Sequence, residues 1–177
     1  MKNFGRLILR ASVGGFFFGH GTQKLFGWFG GYGLEGTGAF FEQLGMRPGK
    51  RNALAAGLAE AGGGTAIVLG AATPLAASAL IATMITAVHR VHLSKGPWVS
   101  DGGYEYNVVL IAALLTLVET GPGSLSVDAA RGKEYSGAGW ALAALALAAA
   151  GAAGAHAAAA ATPAPEPAAT EPVAEPA

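Results

Sequence analysis

Ionisable side chains within apolar sequence are the residues here that could do chemistry. Each costs roughly 2.5–3.5 kcal/mol at the centre of a membrane helix, so each calls for a partner or a purpose. Glu60 is the clearest. It lies on a stripe of small residues, Ala53, Gly57, Glu60 and Gly64, at helical spacing. Its carboxyl group is therefore expected to face a neighbouring helix, either protonated or paired with a cation. Arg10, in an earlier apolar run, is the expected partner, with His89 as the alternative. Such a pair could carry protons or simply hold two helices in register, and the residues weigh equally for both. His89 and His92, three positions apart, project from one helical face. An imidazole at that depth could hydrogen-bond a quinone carbonyl and shuttle its proton. Two histidines with Glu60 or Glu105 make a sparse ligand set for a divalent ion, and no metal site is assigned. Antiparallel alternation of helices brings Glu105, His20, Lys24 and the two histidines to one end. Glu119 falls at the opposite interface, and His156 has no visible partner.

These side chains need elements to hold them, and composition says what those are. Only 12% of the 177 residues are charged and 52% are hydrophobic, gathered in blocks separated by short polar stretches. That is the distribution of membrane spans rather than of a soluble core. Four blocks approach the roughly 20 residues a spanning helix needs: about 4–21, 53–70, 75–93 and 104–121. Only Ala71-Ala72-Thr73-Pro74 separates the second from the third, so these two must be antiparallel neighbours. A fifth, alanine-dominated block at 137–161 is expected to span as well. Abundant glycine and alanine let helix backbones approach closely in lipid. Gly15 and Gly19 form such a GxxxG pair in the first span.

The N-terminal block is read as a retained first helix and not a cleaved signal, since Arg10 interrupts it and no Ala-x-Ala pattern follows. In the long first loop, Thr37 is expected to cap a short helix carrying Phe40, Phe41 and Leu44. That helix lies either on the membrane surface, with Arg47, Lys50 and Arg51 toward phosphates, or packed over the bundle. From Thr162 onward the Pro-Ala-Glu tail is expected to be disordered. Basic residues are too evenly spread to orient the bundle, while the tail, which has none, favours an N-inside, tail-outside arrangement. Zero net charge gives no reason to expect a nucleic acid partner. Without cysteine, no thiolate chemistry or iron–sulfur cluster can rest on this chain's own residues, so redox work needs a bound cofactor or another subunit.

One sequence of short motifs resembles the DoxX family of small bacterial membrane proteins, named after the small subunit of a thiosulfate:quinone oxidoreductase. It begins with His20-Gly21-Thr22-Gln23-Lys24-Leu25-Phe26-Gly27, Gly30-Gly31-Tyr32-Gly33 and Gly36-Thr37. Ala59-Glu60, Gly62-Gly63-Gly64, Thr73-Pro74 and His89 follow, then Gly103-Tyr104-Glu105-Tyr106 and Gly121-Pro122-Gly123 with Ser126 and Asp128. The resemblance spans about Phe4 to Arg131, implies a four-helix membrane bundle, and points to redox work without naming a reaction. The fifth block and the tail lie outside it.

The whole reading is an all-α, polytopic transmembrane bundle: a four-helix unit over 1–135, an extra helix over 136–161 and a tail over 162–177. It is expected in a bacterial plasma membrane, as a subunit of a redox system that contacts quinone or a redox partner. The chemistry is assigned to Glu60, His89, His20 and Glu105, and cofactor contacts to Lys24, Arg10 and His92. A non-catalytic scaffold for soluble partners and a small-solute or proton pathway are the alternatives, and self-association stays open.

Overall fold

The computed structural model describes residues 3–163, so nearly all of the Pro-Ala-Glu tail lies outside the described residues. Seven α-helices follow in order: α1 Phe4–Phe26, α2 Gly33–Gln43, α3 Gly49–Leu69, α4 Thr73–Ala87, α5 Glu105–Thr120, α6 Val127–Ala130 and α7 Ala138–Ala160. There is no strand among the described residues. Beyond α4 the chain continues as a π turn, Val88–His92, and a 3-10 turn, Leu93–Lys95. Among the described residues three helical stretches are long and apolar enough to cross a membrane: Gly49–Leu69, Thr73–Lys95 and Ala138–Ala160. With them, the chain is a multi-pass membrane protein. α1 has the length, 23 residues, but carries Arg6, Arg10, His20 and Lys24, and α5 has only 16 residues. Leu54, Leu58, Leu75, Leu142 and Leu147 are exposed on the outer surface, as lipid-facing side chains should be.

α1 and α3 form the tightest pair, and glycine makes it possible. A Cβ on Gly14 would lie 2.8 Å from Val68 Cγ2, and one on Gly21 would lie 2.7 Å from Ala61 Cα. On the facing helix, a Cβ on Gly64 would lie 2.5 Å from Phe18 N. The predicted stripe of α3 is the contact face, since Ala53, Gly57, Glu60 and Gly64 are all buried. The GxxxG pair of α1 is not: a Cβ on Gly15 or Gly19 would meet open space. The face that packs runs instead through Arg10, Val13, Gly14, Phe17 and Gly21.

α2 packs against α3 and α1. It begins at Gly33, so Thr37 is a buried interior residue rather than a cap. Two of the three basic residues that follow it are in ion pairs, Lys50 with Glu35 and Arg47 with Glu42 at 3.4 Å, while Arg51 is exposed and in none of the ion pairs among the described residues. α7 lies against α4 and α5 through Ala144, Ala148 and Ala152, all buried. Between these layers Phe17, Ile67, Leu80, Ile81, Leu114 and Leu117 form the apolar centre.

One end of the bundle is tied by buried polar bonds. Arg10 donates to four carbonyl oxygens: Ile67 (3.0 Å), Val68 (2.6 Å), Pro122 (2.9 Å) and Leu125 (2.8 Å). Two are carbonyls in the last turn of α3, where Ile67 O also accepts from Gly70 N at 3.1 Å, and two belong to the α5–α6 connection. The Asp128 carboxylate accepts from Ala72 N (2.7 Å), Thr73 N (2.9 Å) and Thr73 Oγ1 (2.8 Å), capping the start of α4 from a distant part of the chain. This holds Ala72 at φ 46°, a left-handed conformation that costs a Cβ-bearing residue about 1–2 kcal/mol.

Candidate functional site

At the other end the helices part around a cavity of about 600 Å³. Its wall is mostly apolar, with Phe16 and Phe17 of α1, Phe40 and Phe41 of α2, and Ala152 and Ala155 of α7 among its residues. Polar groups enter at a few points. His20 and Lys24 sit one turn apart in the last two turns of α1, so they share a face. Glu60 comes from the middle of α3, Arg90 and His92 from the π turn, and Asn107 from α5.

The centrepiece is an ion pair. Lys24 Nζ lies 2.5 Å from Glu60 Oε2, with the glutamate side chain 5% exposed and the lysine 23%. Glu60 is thus held in place as an acceptor, while Lys24, with three N–H donors, has one committed to the carboxylate and another directed at His20 O at 3.5 Å. His20 Nδ1 lies 3.0 Å from Gln23 Oε1, and Gln23 Nε2 donates to Phe29 O at 3.3 Å, which ties the ring to the turn after α1.

On the facing wall His92 Nδ1 lies 2.6 Å from Gly102 O. A carbonyl can only accept, so Nδ1 carries the hydrogen, and in the neutral ring Nε2 remains an acceptor. The π turn that carries His92 is a wide, uncommon element found often at functional sites. Arg90, on the same turn, donates from Nη1 to Leu44 O at 3.3 Å and so joins it to the end of α2. The cavity therefore offers donors from Lys24 and Arg90, an acceptor from His92, and an apolar surround in which such bonds are strong.

Of the residues singled out in the sequence, Glu60, Lys24, His20 and His92 meet here. Three do not. Arg10 is not the partner of Glu60: it stands about 21 Å from Lys24 along α1 at 1.5 Å per residue, bonded at the tied end. Glu105 does not line the cavity: its Oε1 accepts from Val99 N at 2.9 Å and clasps the loop before α5. His89 is exposed on the other side of the π turn, where its ring centroid lies 4.6 Å from that of His156. That contact gives His156 the neighbour its sequence did not show. Among the polar residues of the wall, Arg90 and Asn107 were not singled out in the sequence, and Tyr106 entered only as part of a motif. Arg90 had a signal, a third cation-forming residue between two histidines in an apolar span. Asn107 had none, since it stands at a helix start where polar residues are ordinary. Among the described residues no group of three or more metal-ligating side chains converges.

A family model described as DoxX matches residues 5–93. The chain is 32% identical over 124 residues to a Bacillus subtilis (strain 168) protein named "Putative oxidoreductase CatD", a match covering 70% of this chain and 84% of that protein. No solved structure matches the chain.

Proposed function

The chain belongs to the DoxX family, and from that footing we propose that it is a subunit of a redox system in a bacterial plasma membrane, taking a quinone headgroup into the cavity between α1, α3 and α4. The observation that carries this reading is the cavity itself: about 600 Å³, largely apolar, with a buried Lys24–Glu60 pair on one wall and His92 on another. A quinone is an apolar ring with two carbonyl oxygens, and it suits a site of this kind. The name of the Bacillus subtilis relative supports redox work.

A bound quinone would supply the couple that accepts and releases electrons with protons. This chain's part is to bind, orient and exchange protons. Lys24 presents a donor where α1 ends, Glu60 holds its ammonium against the wall, and His20, whose Nδ1 hydrogen goes to Gln23 Oε1, offers Nε2 as an acceptor in the neutral ring. His92 Nε2 is the group that takes up a proton, because the Gly102 carbonyl keeps the hydrogen on Nδ1. The electron donor is then a separate, soluble or membrane-bound partner. In this reading α7 is a fifth span added to a four-helix unit, and it contributes Ala152 and Ala155 to the cavity wall.

The test is binding. Protein purified from its native membranes should carry extractable quinone, and the apo protein should bind a short-tailed quinone by calorimetry. His92→Phe should weaken that binding about tenfold, as loss of one hydrogen bond implies, with its detergent melting measured alongside because the bond to Gly102 O is lost too. Absence of copurifying quinone together with no measurable binding would refute the reading.

A further inference from the structure

A second crevice lies at the tied end, on the outer side of the bundle and away from the quinone cavity. α4 and α7 run parallel here, since both start at this end and Gly151 of one meets Ala82 of the other further along. Between their first turns opens a space of about 530 Å³. Its lining is basic and aromatic on one side and largely apolar on the other. At the mouth stand Arg131 and Lys133, from the connection into α7, with Tyr135 and Trp140 beside them. The two aromatic rings pack against each other, centroids 4.8 Å apart and 46° between planes. The rest of the wall includes the exposed Leu75 of α4 and Ala143 and Leu147 of α7, with the buried Ser78, Ala144 and Asp128. Trp140 to Leu147 is about 10 Å of helix at 1.5 Å per residue.

We propose that this crevice is a binding site for one anionic phospholipid, the phosphate at Arg131 and Lys133 and one acyl chain along the groove between α4 and α7. Three observations carry it independently of the quinone reading. The two cations are exposed and take part in none of the ion pairs among the described residues, so their charge is available to a phosphate. An indole and a phenol stand beside them, the side chains that favour the headgroup level of a bilayer. The groove below is apolar and faces lipid through the exposed side chains of Leu75 and Leu147. Asp128 lines the crevice too, but both its oxygens already accept from Ala72 and Thr73, so its charge is met by three donors. A basic mouth with an aromatic rim above an apolar slot selects a headgroup by charge and a chain by shape.

The occupant is tested on the full chain, purified free of lipid in detergent and offered mixed micelles of dioleoyl phosphatidylglycerol or dioleoyl phosphatidylcholine, with native mass spectrometry counting retained lipids. Wild type should retain one phosphatidylglycerol about thirty-fold more tightly than phosphatidylcholine, from roughly equal contributions of two cations. Arg131→Gln with Lys133→Gln should bring the two lipids to parity while leaving melting in lipid-free detergent unchanged. Ala143→Trp fills the groove from its exposed side and should also lose phosphatidylglycerol. Three results would each overturn the proposal. The double glutamine variant could keep the preference. Ala143→Trp could retain the lipid undiminished, which would mean that the headgroup binds without the groove. Inorganic phosphate at millimolar concentration could displace the lipid, which would make this a soluble-anion site.

Discussion

Removing Lys24 should destabilise the protein more than removing Glu60, although the two form a single pair. The asymmetry follows from their exposure, 5% for the glutamate side chain and 23% for the lysine. Lys24→Met strands a carboxylate that has no other side-chain cation bonded to it, and breaking a buried pair from one side costs about 3–5 kcal/mol. Glu60→Met strands an ammonium on a flexible stem near the end of α1, which can swing toward water or phosphate, so the cost falls to about 1–2 kcal/mol. The double variant buries no charge and should lie within about 1 kcal/mol of wild type. A coupling of at least about 3 kcal/mol should therefore appear in a double-mutant cycle. The measurement is unfolding in mixed micelles titrated with dodecyl sulfate, followed by circular dichroism. Equal costs for the two single variants, or an additive double, would refute the view that burial of the carboxylate governs the pair. The double variant also separates stability from binding: it should fold and yet have lost quinone affinity.

Other outcomes can be checked in the same assay. Arg10→Gln should cost about 3–5 kcal/mol, because a neutral amide cannot serve four buried carbonyls at once, and Arg10→Lys should recover only part of the loss, since it lacks the planar fork. Gly64→Val should cost at least about 1–3 kcal/mol, because its Cβ would press on Phe18 N and Gly14 O, both backbone atoms. Gly62→Ala meets open space and should gain up to about 1 kcal/mol from helix propensity. Ala72→Gly should stabilise by about 1 kcal/mol by relieving the left-handed strain while keeping the bond to Asp128. Reporter fusions at Ala72 and Lys133 should fall on one side of the membrane and a fusion at Pro97 on the other; Ala72 reporting with Pro97 would contradict the helix order.

The helical character and the packing face of α3 were legible because small residues recur there at helical spacing and apolar ones do not compete for the same face. α1 offered no such contrast. Phe16, Phe17 and Phe18 surround the helix, so the four glycines near them, at 14, 15, 19 and 21, point in several directions, and nearest-neighbour spacing favoured the wrong two. The partner of Glu60 was misjudged for a related reason. With Gly14 against Gly64 and Gly21 against Ala61, the antiparallel register places Arg10 near Gly70 and Lys24 near Glu60, and that register depends on which glycines meet. The π turn was hidden as well, since nothing in Val88-His89-Arg90-Val91-His92 differs from an ordinary helix end, and its effect is to separate two histidines that α-helical spacing would keep on one face. Asp128 was visible only as part of a motif. Its capping of α4 rests on the fold of a connection more than fifty residues further along the chain.

The bonds of Arg10 also bear on how the chain is made. Its acceptors belong to residues 67, 68, 122 and 125, and the partner of Lys24 is residue 60. When α1 leaves the ribosome none of these exists yet, and a helix bearing unpaired cations inserts poorly, each costing about 2.5–3.5 kcal/mol near the bilayer centre. α1 is therefore expected to wait at the translocon until α3 emerges and to enter lipid with it as a hairpin. Its insertion is completed only when the segment after α5 closes over the guanidinium. The first helix synthesised would then be among the last to be secured.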